Sequence, residues 1–143
     1  MTTFHIVLGV ALIAVNAVAG LYGAWAWWQD RTAPVFWPLL RIGQALVMLE
    51  ALDGAILLVM GKDLPELHLI YGLVPLGVAF IAEQLRLTSA QAVLDARGVS
   101  SARELPEAER DAAALDILVR EMGVMAASAL VVAALGLRAG GVL

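Results

Sequence analysis

Four apolar stretches, separated by shorter polar segments, dominate the pattern of the chain. The first contains no Lys, Arg, Asp or Glu, and the others contain few. A helix that crosses a bilayer needs about 20 predominantly apolar residues. The pattern therefore predicts an all-α protein, a polytopic membrane four-helix bundle that forms a single transmembrane domain. The predicted spans are about residues 4–28, 35–61, 67–85 and 122–137.

The long polar segment at about residues 86–121 keeps a helical character. Gly98 is a plausible residue for ending one helix, because glycine adopts the left-handed conformation readily. Pro106 suits the start of the next, because proline lacks the N–H that a first helical turn leaves unpaired. We therefore expect a helical hairpin that extends spans 3 and 4, in which Val93 and Leu94 face Leu105 and residues 108–112.

Composition supports a membrane protein and excludes several other classes. Apolar residues make up 62% of the 143 residues and charged residues 15%, against about half and about a quarter in soluble domains. With no cysteine, disulfides and thiolate metal sites are excluded. The net charge of −4 argues against nucleic acid as a partner.

Basic residues predict the orientation of the spans, because cytoplasmic loops carry an excess of Lys and Arg. The side that would hold both termini and the connection between spans 2 and 3 has only two basic residues, Lys62 and Arg138. We therefore expect both termini to be extracytoplasmic and residues 86–121 to be cytoplasmic. No basic residue precedes the first stretch, which favours a retained span over a cleaved signal peptide. The basic residues of the predicted cytoplasmic side are Arg31, Arg41, Arg86, Arg97, Arg103, Arg110 and Arg120.

Polar residues within the spans form the first candidate site. Glu50 and Asp53 share a helix face, and counting from the helix ends places Asn16 and Ser128 at a depth similar to Glu50. With Tyr71, these residues predict an intramembrane polar column. Two close carboxyls in a low dielectric should not both ionise, so we expect Glu50 to be protonated. The column would relay protons or a cation; alternatively, the carboxyls only hydrogen-bond across helices.

Two histidines at the predicted outer edge form a second candidate site. His5 and His68 lie on helices that can be neighbours, and two such imidazoles can ligate a haem b iron. They can also join Asp63 or Glu66 in a metal site. The remaining alternative is that both are interfacial end residues without a ligand.

Charged residues near the base of the hairpin are expected to be structural. Antiparallel packing of the third and fourth helices would bring Glu83 and Arg86 near Asp116, Arg120 and Glu121, as interfacial ion pairs. Arg41 is expected to extend towards the lipid headgroups.

Three functions remain open on this pattern. The first is a non-enzymatic membrane subunit or small homo-oligomer whose hairpin docks a protein partner. The second is a proton or cation relay that uses Asn16, Glu50 and Asp53. The third is a small haem electron carrier that uses His5 and His68. We identify no catalytic motif and no catalytic residues.

Overall fold

The computed structural model describes residues 3–62 and 66–142, and this part of the chain contains helices but no strands. Four long helices account for most of it, with one short 3-10 helix between the third and the fourth. The elements are α1 (Thr3–Trp28), α2 (Phe36–Val59), α3 (Glu66–Asp95), the 3-10 helix (Ala102–Glu104) and α4 (Glu107–Ala139).

All four helices are long and apolar enough to cross a membrane. Many of their large apolar side chains lie on the outside, including Leu21, which is 64% exposed, and Val59, which is 90% exposed. Such a surface would be unfavourable in water but suits a hydrocarbon environment. The chain is therefore built as a multi-pass membrane protein.

Helix α1 packs against both α2 and α4, and small residues set the close approach. A Cβ atom on Gly23 would lie 2.5 Å from the Phe36 ring, and one on Gly20 would lie 2.7 Å from the Leu130 side chain. Glycine at these positions lets the helix backbones come together. The largest buried side chains of this core are Phe36, Leu40, Met122 and Met125.

The two ends of the molecule differ in what they hold. We refer to the end where α1 begins and α4 finishes as the terminal end. The opposite end, where α3 passes into α4, is the hairpin end. Because α1 and α2 run in opposite directions, the first turns of α1 lie beside the last turns of α2 at the terminal end.

At the hairpin end, α3 continues without interruption to Asp95. Gly98 then adopts a left-handed φ of 71°, and the chain turns back through the 3-10 helix to α4. Val93, Leu105 and Ala113 are buried between the two arms, and Arg97 forms an ion pair with Asp116.

The predicted contact of Leu94 with residues 108–112 does not form the buried part of the hairpin. Leu94 is only partly buried, while Ala108 and Ala112 are exposed. Val93 and Leu105, which were also expected to face the partner arm, are buried together with Ala113. Both stripes of each arm carry apolar residues, so periodicity alone does not decide which of them meets the partner helix.

Candidate functional site

His5, in the first turn of α1, is the centre of a polar cluster at the terminal end. Its Nδ1 atom lies 2.9 Å from Oδ2 of Asp53, and its Nε2 atom lies 3.3 Å from Oε1 of Glu50. The two carboxylates are three residues apart and therefore lie on the same face of α2. Gly9 leaves room for this contact, since a Cβ atom there would lie 3.2 Å from Glu50 Oε1.

His68 of α3 joins the cluster from the opposite side. Its Nε2 atom lies 3.4 Å from Nε2 of His5, and its Nδ1 atom lies 3.3 Å from the carbonyl oxygen of Ala139 in α4. All four helices therefore contribute an atom. We call His5, Glu50, Asp53 and His68 the histidine–carboxylate cluster.

The partners of each ring nitrogen assign the hydrogen-bond roles. The carbonyl of Ala139 can only accept, so Nδ1 of His68 donates and Nε2 of a neutral His68 ring accepts. Nε2 of His5 then donates to Nε2 of His68. The contact between His5 Nδ1 and Asp53 holds one proton, with either the ring donating to a carboxylate or a protonated Asp53 donating to the ring.

The cluster is largely withdrawn from solvent. The His5 side chain is 7% exposed, and those of Glu50 and Asp53 are 18% and 19% exposed. Oε2 of Glu50 is fully buried and has no hydrogen-bond partner among the described residues. Arg138 lies nearby on the surface, with its guanidinium carbon 5.8 Å from the centre of the Tyr71 ring. The unsatisfied oxygen leaves the cluster with capacity for one more donor.

Asn16 and Ser128 do not belong to this cluster, so the predicted continuous column was wrong. Asn16 donates to the carbonyls of Leu12 and Gly43, at 2.9 and 3.4 Å. Gly43 is two turns along α2 from Glu50, a rise of about 10 Å. Ser128 donates to the carbonyl of Met125 within its own helix. The error arose because depth was counted from assumed helix ends, whereas packing sets the register.

A cavity of about 440 Å³ lies beside the cluster and is lined by residues of all four helices. His5, Glu50, His68 and Tyr71 supply its polar lining, and most of the remaining wall is apolar. An apolar cavity with a few convergent polar groups is typical of small-molecule sites. Apolar wall residues include Val10, Leu12, Val47, Leu58, Leu69 and Leu73.

The geometry bears on the predicted ligands of the two histidines. Among the described residues, no group of three or more His, Cys, Asp or Glu side chains is arranged to hold a metal ion. Asp63, named as a possible ligand, lies outside the described residues, and the Glu66 side chain is likewise not described.

Haem b would require a wider separation of the two rings. With bonds of about 2 Å from iron to each imidazole nitrogen, the two nitrogens would lie about 4 Å apart on opposite sides of the haem. The Nε2 atoms of His5 and His68 are 3.4 Å apart. The rings would have to separate to admit the cofactor. Haem binding stays a prediction, which the absorbance spectrum of the purified protein tests.

Beyond the cluster, towards the hairpin end, the interior becomes apolar. Side chains from α1, α2 and α4 fill this level, and partly buried residues of α3 complete it. No ionisable side chain belongs to this set. We call it the apolar layer. It consists of buried Leu12, Val47 and Val132, packed against Ile13, Leu46, Leu76 and Val78.

A second polar group lies on the far side of the apolar layer. Glu83 pairs with Arg41, accepts a 3.0 Å hydrogen bond from Gln44 and lies 3.2 Å from Arg86. Arg86 also lies 3.9 Å from Glu121. These five residues are the Glu83 network. The sequence predicted the contact of Arg86 with Glu121 but not the contacts of Arg41 and Gln44 with Glu83. Arg41 and Gln44 are three residues apart and therefore share one face of α2, which is the pattern that could have indicated a common partner.

Comparison with protein-family models, with curated proteins and with solved structures finds no match to this chain. Its function must therefore be argued from the site itself.

Proposed function

We propose that the protein is a non-enzymatic four-span membrane protein that binds and releases protons, together with a small ligand, at the histidine–carboxylate cluster. The convergence of His5, Glu50, Asp53 and His68 from three helices carries the proposal. Ionisable groups within spans cost about 2.5–3.5 kcal/mol each at the helix centre on insertion scales, and those that persist usually have a function. A packing role would be met more cheaply by apolar residues.

The apolar layer restricts the form of this function. A relay of protons across the whole membrane needs polar groups or water at every level. The described side chains between the cluster and the Glu83 network are apolar at the level of Leu12, Val47 and Val132. Exchange with one side of the membrane is therefore the form that we propose. Asn16 is left with a role in helix packing.

The orientation belongs to the same proposal. The excess of arginine near the hairpin end supports a cytoplasmic location for residues 86–121 and an extracytoplasmic location for both termini. The cluster at the terminal end would then exchange protons with the extracytoplasmic side.

Titration of the histidines in the folded protein tests the proposed function. We expect the ring signals of His5 and His68 in nitrogen-15 NMR spectra to change together with pH, because their Nε2 atoms face each other. Glu50→Gln should shift both titrations. Glu121→Gln is the matched control, since this partly buried carboxyl belongs to the Glu83 network, and it should shift neither. If neither ring titrates between about pH 4 and 9, the cluster is a static packing element.

A second candidate function is docking of a protein partner at the hairpin end, by the protein as a monomer or a homo-oligomer. A groove of about 960 Å³ between the end of α1 and the two arms favours it. Trp27, Arg97, Asp116 and Arg120 contribute to its lining. Aromatic and arginine side chains are enriched at protein interfaces. Arg120→Glu should then abolish co-purification of a stoichiometric partner from native membranes.

A further inference from the structure

The cavity beside the histidine–carboxylate cluster combines an apolar wall with one hydroxyl group that no described residue engages. We infer that it binds a neutral, lipid-soluble molecule whose polar oxygen hydrogen-bonds to the hydroxyl of Tyr71 and whose apolar body fills the cavity. This inference rests on the proposed function, because it concerns the small ligand of the same site.

The polar atoms of the cluster are engaged with one another. Nδ1 of His68 donates to the carbonyl of Ala139, and its Nε2 atom faces Nε2 of His5. Nδ1 of His5 contacts Asp53, and Oε1 of Glu50 lies 3.3 Å from Nε2 of His5. Oε2 of Glu50 is fully buried, so a molecule in the cavity does not reach it. A ligand must therefore find its polar partner elsewhere on the wall.

Tyr71 of α3 supplies that partner. It lines the cavity and is partly buried. Its hydroxyl makes no hydrogen bond with any described residue, and it is not enclosed as Oε2 of Glu50 is. The guanidinium carbon of Arg138 lies 5.8 Å from the centre of the ring. A phenol hydroxyl both donates and accepts, so it can bind the oxygen of a ketone or of an alcohol.

The surroundings of the cavity favour a neutral molecule over an ion. Among the described side chains there, two acidic ones, Glu50 and Asp53, are accompanied by two basic ones, His5 and Arg138. This balance offers no excess of one sign to attract an ion. Most of the wall is apolar, and an ion that enters such a wall loses its hydration without an unengaged charge to replace it.

A lateral opening between α2 and α3 gives such a ligand access from the lipid. These two helices pack against each other less extensively than α1 packs against α2 or α4. Gly54 of α2 and Gly72 of α3 both line the cavity, and a Cβ atom on either would meet no other atom within 4 Å. A neutral, largely apolar molecule dissolves in the bilayer, so this route delivers it at the depth of the site.

Photolabelling with benzophenone tests the inference, because its ketone oxygen can accept from Tyr71 and its excited carbonyl inserts into nearby C–H bonds. The full-length protein in lipid nanodiscs would be irradiated at increasing benzophenone concentrations, and mass spectrometry would locate the label. We expect saturable labelling of Leu12 and Val47, which line the cavity and are shielded from lipid. Labelling confined to lipid-facing residues such as Leu21, or labelling that does not saturate, would overturn the inference.

Competitors with the same two rings assign the head group. Diphenylmethanol carries a hydroxyl, whereas diphenylmethane carries no oxygen. We expect the alcohol to displace benzophenone at a concentration about three- to tenfold lower than the hydrocarbon requires, as for one hydrogen bond. A trimethylammonium derivative of the same body, which is permanently charged, should displace it less well than the alcohol. Equal displacement by alcohol and hydrocarbon, or strongest displacement by the cation, would overturn the inference.

Two pairs of variants locate the head group and the opening. Tyr71→Phe should remove the advantage of the alcohol, while Tyr22→Phe should retain it, because Tyr22 packs against the core at Phe36 and does not line the cavity. Gly72→Leu should reduce labelling at least about tenfold by filling the opening. Gly77→Leu should not, since Gly77 is equally unobstructed but does not line the cavity. An unchanged advantage in Tyr71→Phe, or wild-type labelling of Gly72→Leu, would contradict the inference.

The histidine titration separates this inference from the proposed function. Coupled titration of His5 and His68 without saturable labelling of the cavity would refute the neutral ligand alone. The absence of titration together with labelling that depends on Tyr71 would refute proton exchange and retain the ligand site.

Discussion

Glu50 is a largely buried carboxyl that lies beside a histidine ring and one helical turn from a second carboxyl. Sequence counting placed it beside Asn16 near the bilayer centre and indicated a protonated side chain. In the structure its Oε1 atom lies 3.3 Å from Nε2 of His5 instead. A protonated Glu50 stays a prediction, because burial favours the neutral acid whereas a protonated neighbour would favour the carboxylate.

Two substitutions of Glu50 should show how much its contact with His5 contributes to the free energy of unfolding. Glu50→Gln keeps an oxygen that accepts from His5, so we expect its free energy of unfolding to stay within about 1 kcal/mol of the wild type. Glu50→Ala removes the acceptor and should lower that free energy by about 1–3 kcal/mol. Unfolding by SDS in mixed micelles, followed by circular dichroism, measures both. Equal stability of the Ala and Gln variants would mean that the contact contributes nothing.

Gly43 shows how one missing side chain sets the register of two helices. A Cβ atom there would lie 2.9 Å from Oδ1 of Asn16, whose side chain is bonded to the carbonyl of Gly43. Gly43→Ala should therefore destabilise the fold by about 1–3 kcal/mol, through overpacking and loss of that bond.

Gly77→Ala is the control for this substitution. Its Cβ atom would meet nothing within 4 Å, so no loss of stability is expected in the same unfolding assay. A Gly43→Ala variant as stable as Gly77→Ala would show that the close contact between α1 and α2 is not needed.

At the scale of elements, α3 and α4 extend as paired arms beyond the level of the Glu83 network. Three residues at their contact, Val93, Leu105 and Ala113, are each less than 5% exposed. The pair Arg97–Asp116 bridges the same arms. This packing accounts for two uninterrupted helices, since isolated arms of this length would be marginal in water.

Val93→Asp should loosen the arms without affecting insertion of the spans. It would replace a buried apolar side chain by a carboxylate in the contact between α3 and α4, where it would compete with Asp116 for Arg97. We expect limited proteolysis within residues 96–106 to become at least about tenfold faster, as local opening becomes easier. Ala92→Asp, at the adjacent exposed position, should be cleaved at the wild-type rate. Equal rates for both variants would exclude packing at Val93.

At the scale of the whole molecule, polar groups concentrate near the two ends with an apolar layer between them. The histidine–carboxylate cluster lies at the terminal end, and the Glu83 network lies towards the hairpin end. This division favours separate roles for the two ends. It also makes the orientation in the membrane important for function, because the orientation decides which compartment each group meets.

Cysteine labelling measures that orientation directly, and the natural chain contains no cysteine to interfere. Lys62→Cys should react with a membrane-impermeant maleimide in intact cells, while Ser100→Cys should react only after lysis. Both positions are exposed. The reverse pattern would place the histidine–carboxylate cluster on the cytoplasmic side.

The sequence by itself determined the helices of this protein. Apolar stretches of membrane-spanning length and the residues Gly98 and Pro106 are local signals, and a helix satisfies its backbone hydrogen bonds within a single segment. Four helices suited to spanning a membrane, and the continuation of α3 and α4 beyond the predicted spans, could therefore be predicted without tertiary information.

Only the tertiary structure decided which residues meet. Counting along the helices placed Asn16 beside Glu50, but the Asn16 side chain donates to the carbonyl of Gly43. Glu50 and Asp53 contact His5 in the first turn of α1. Register between helices depends on where small residues allow close approach, and a shift of two turns leaves the local pattern of each helix unchanged. The candidate site is a property of that register, which no single segment of the chain encodes.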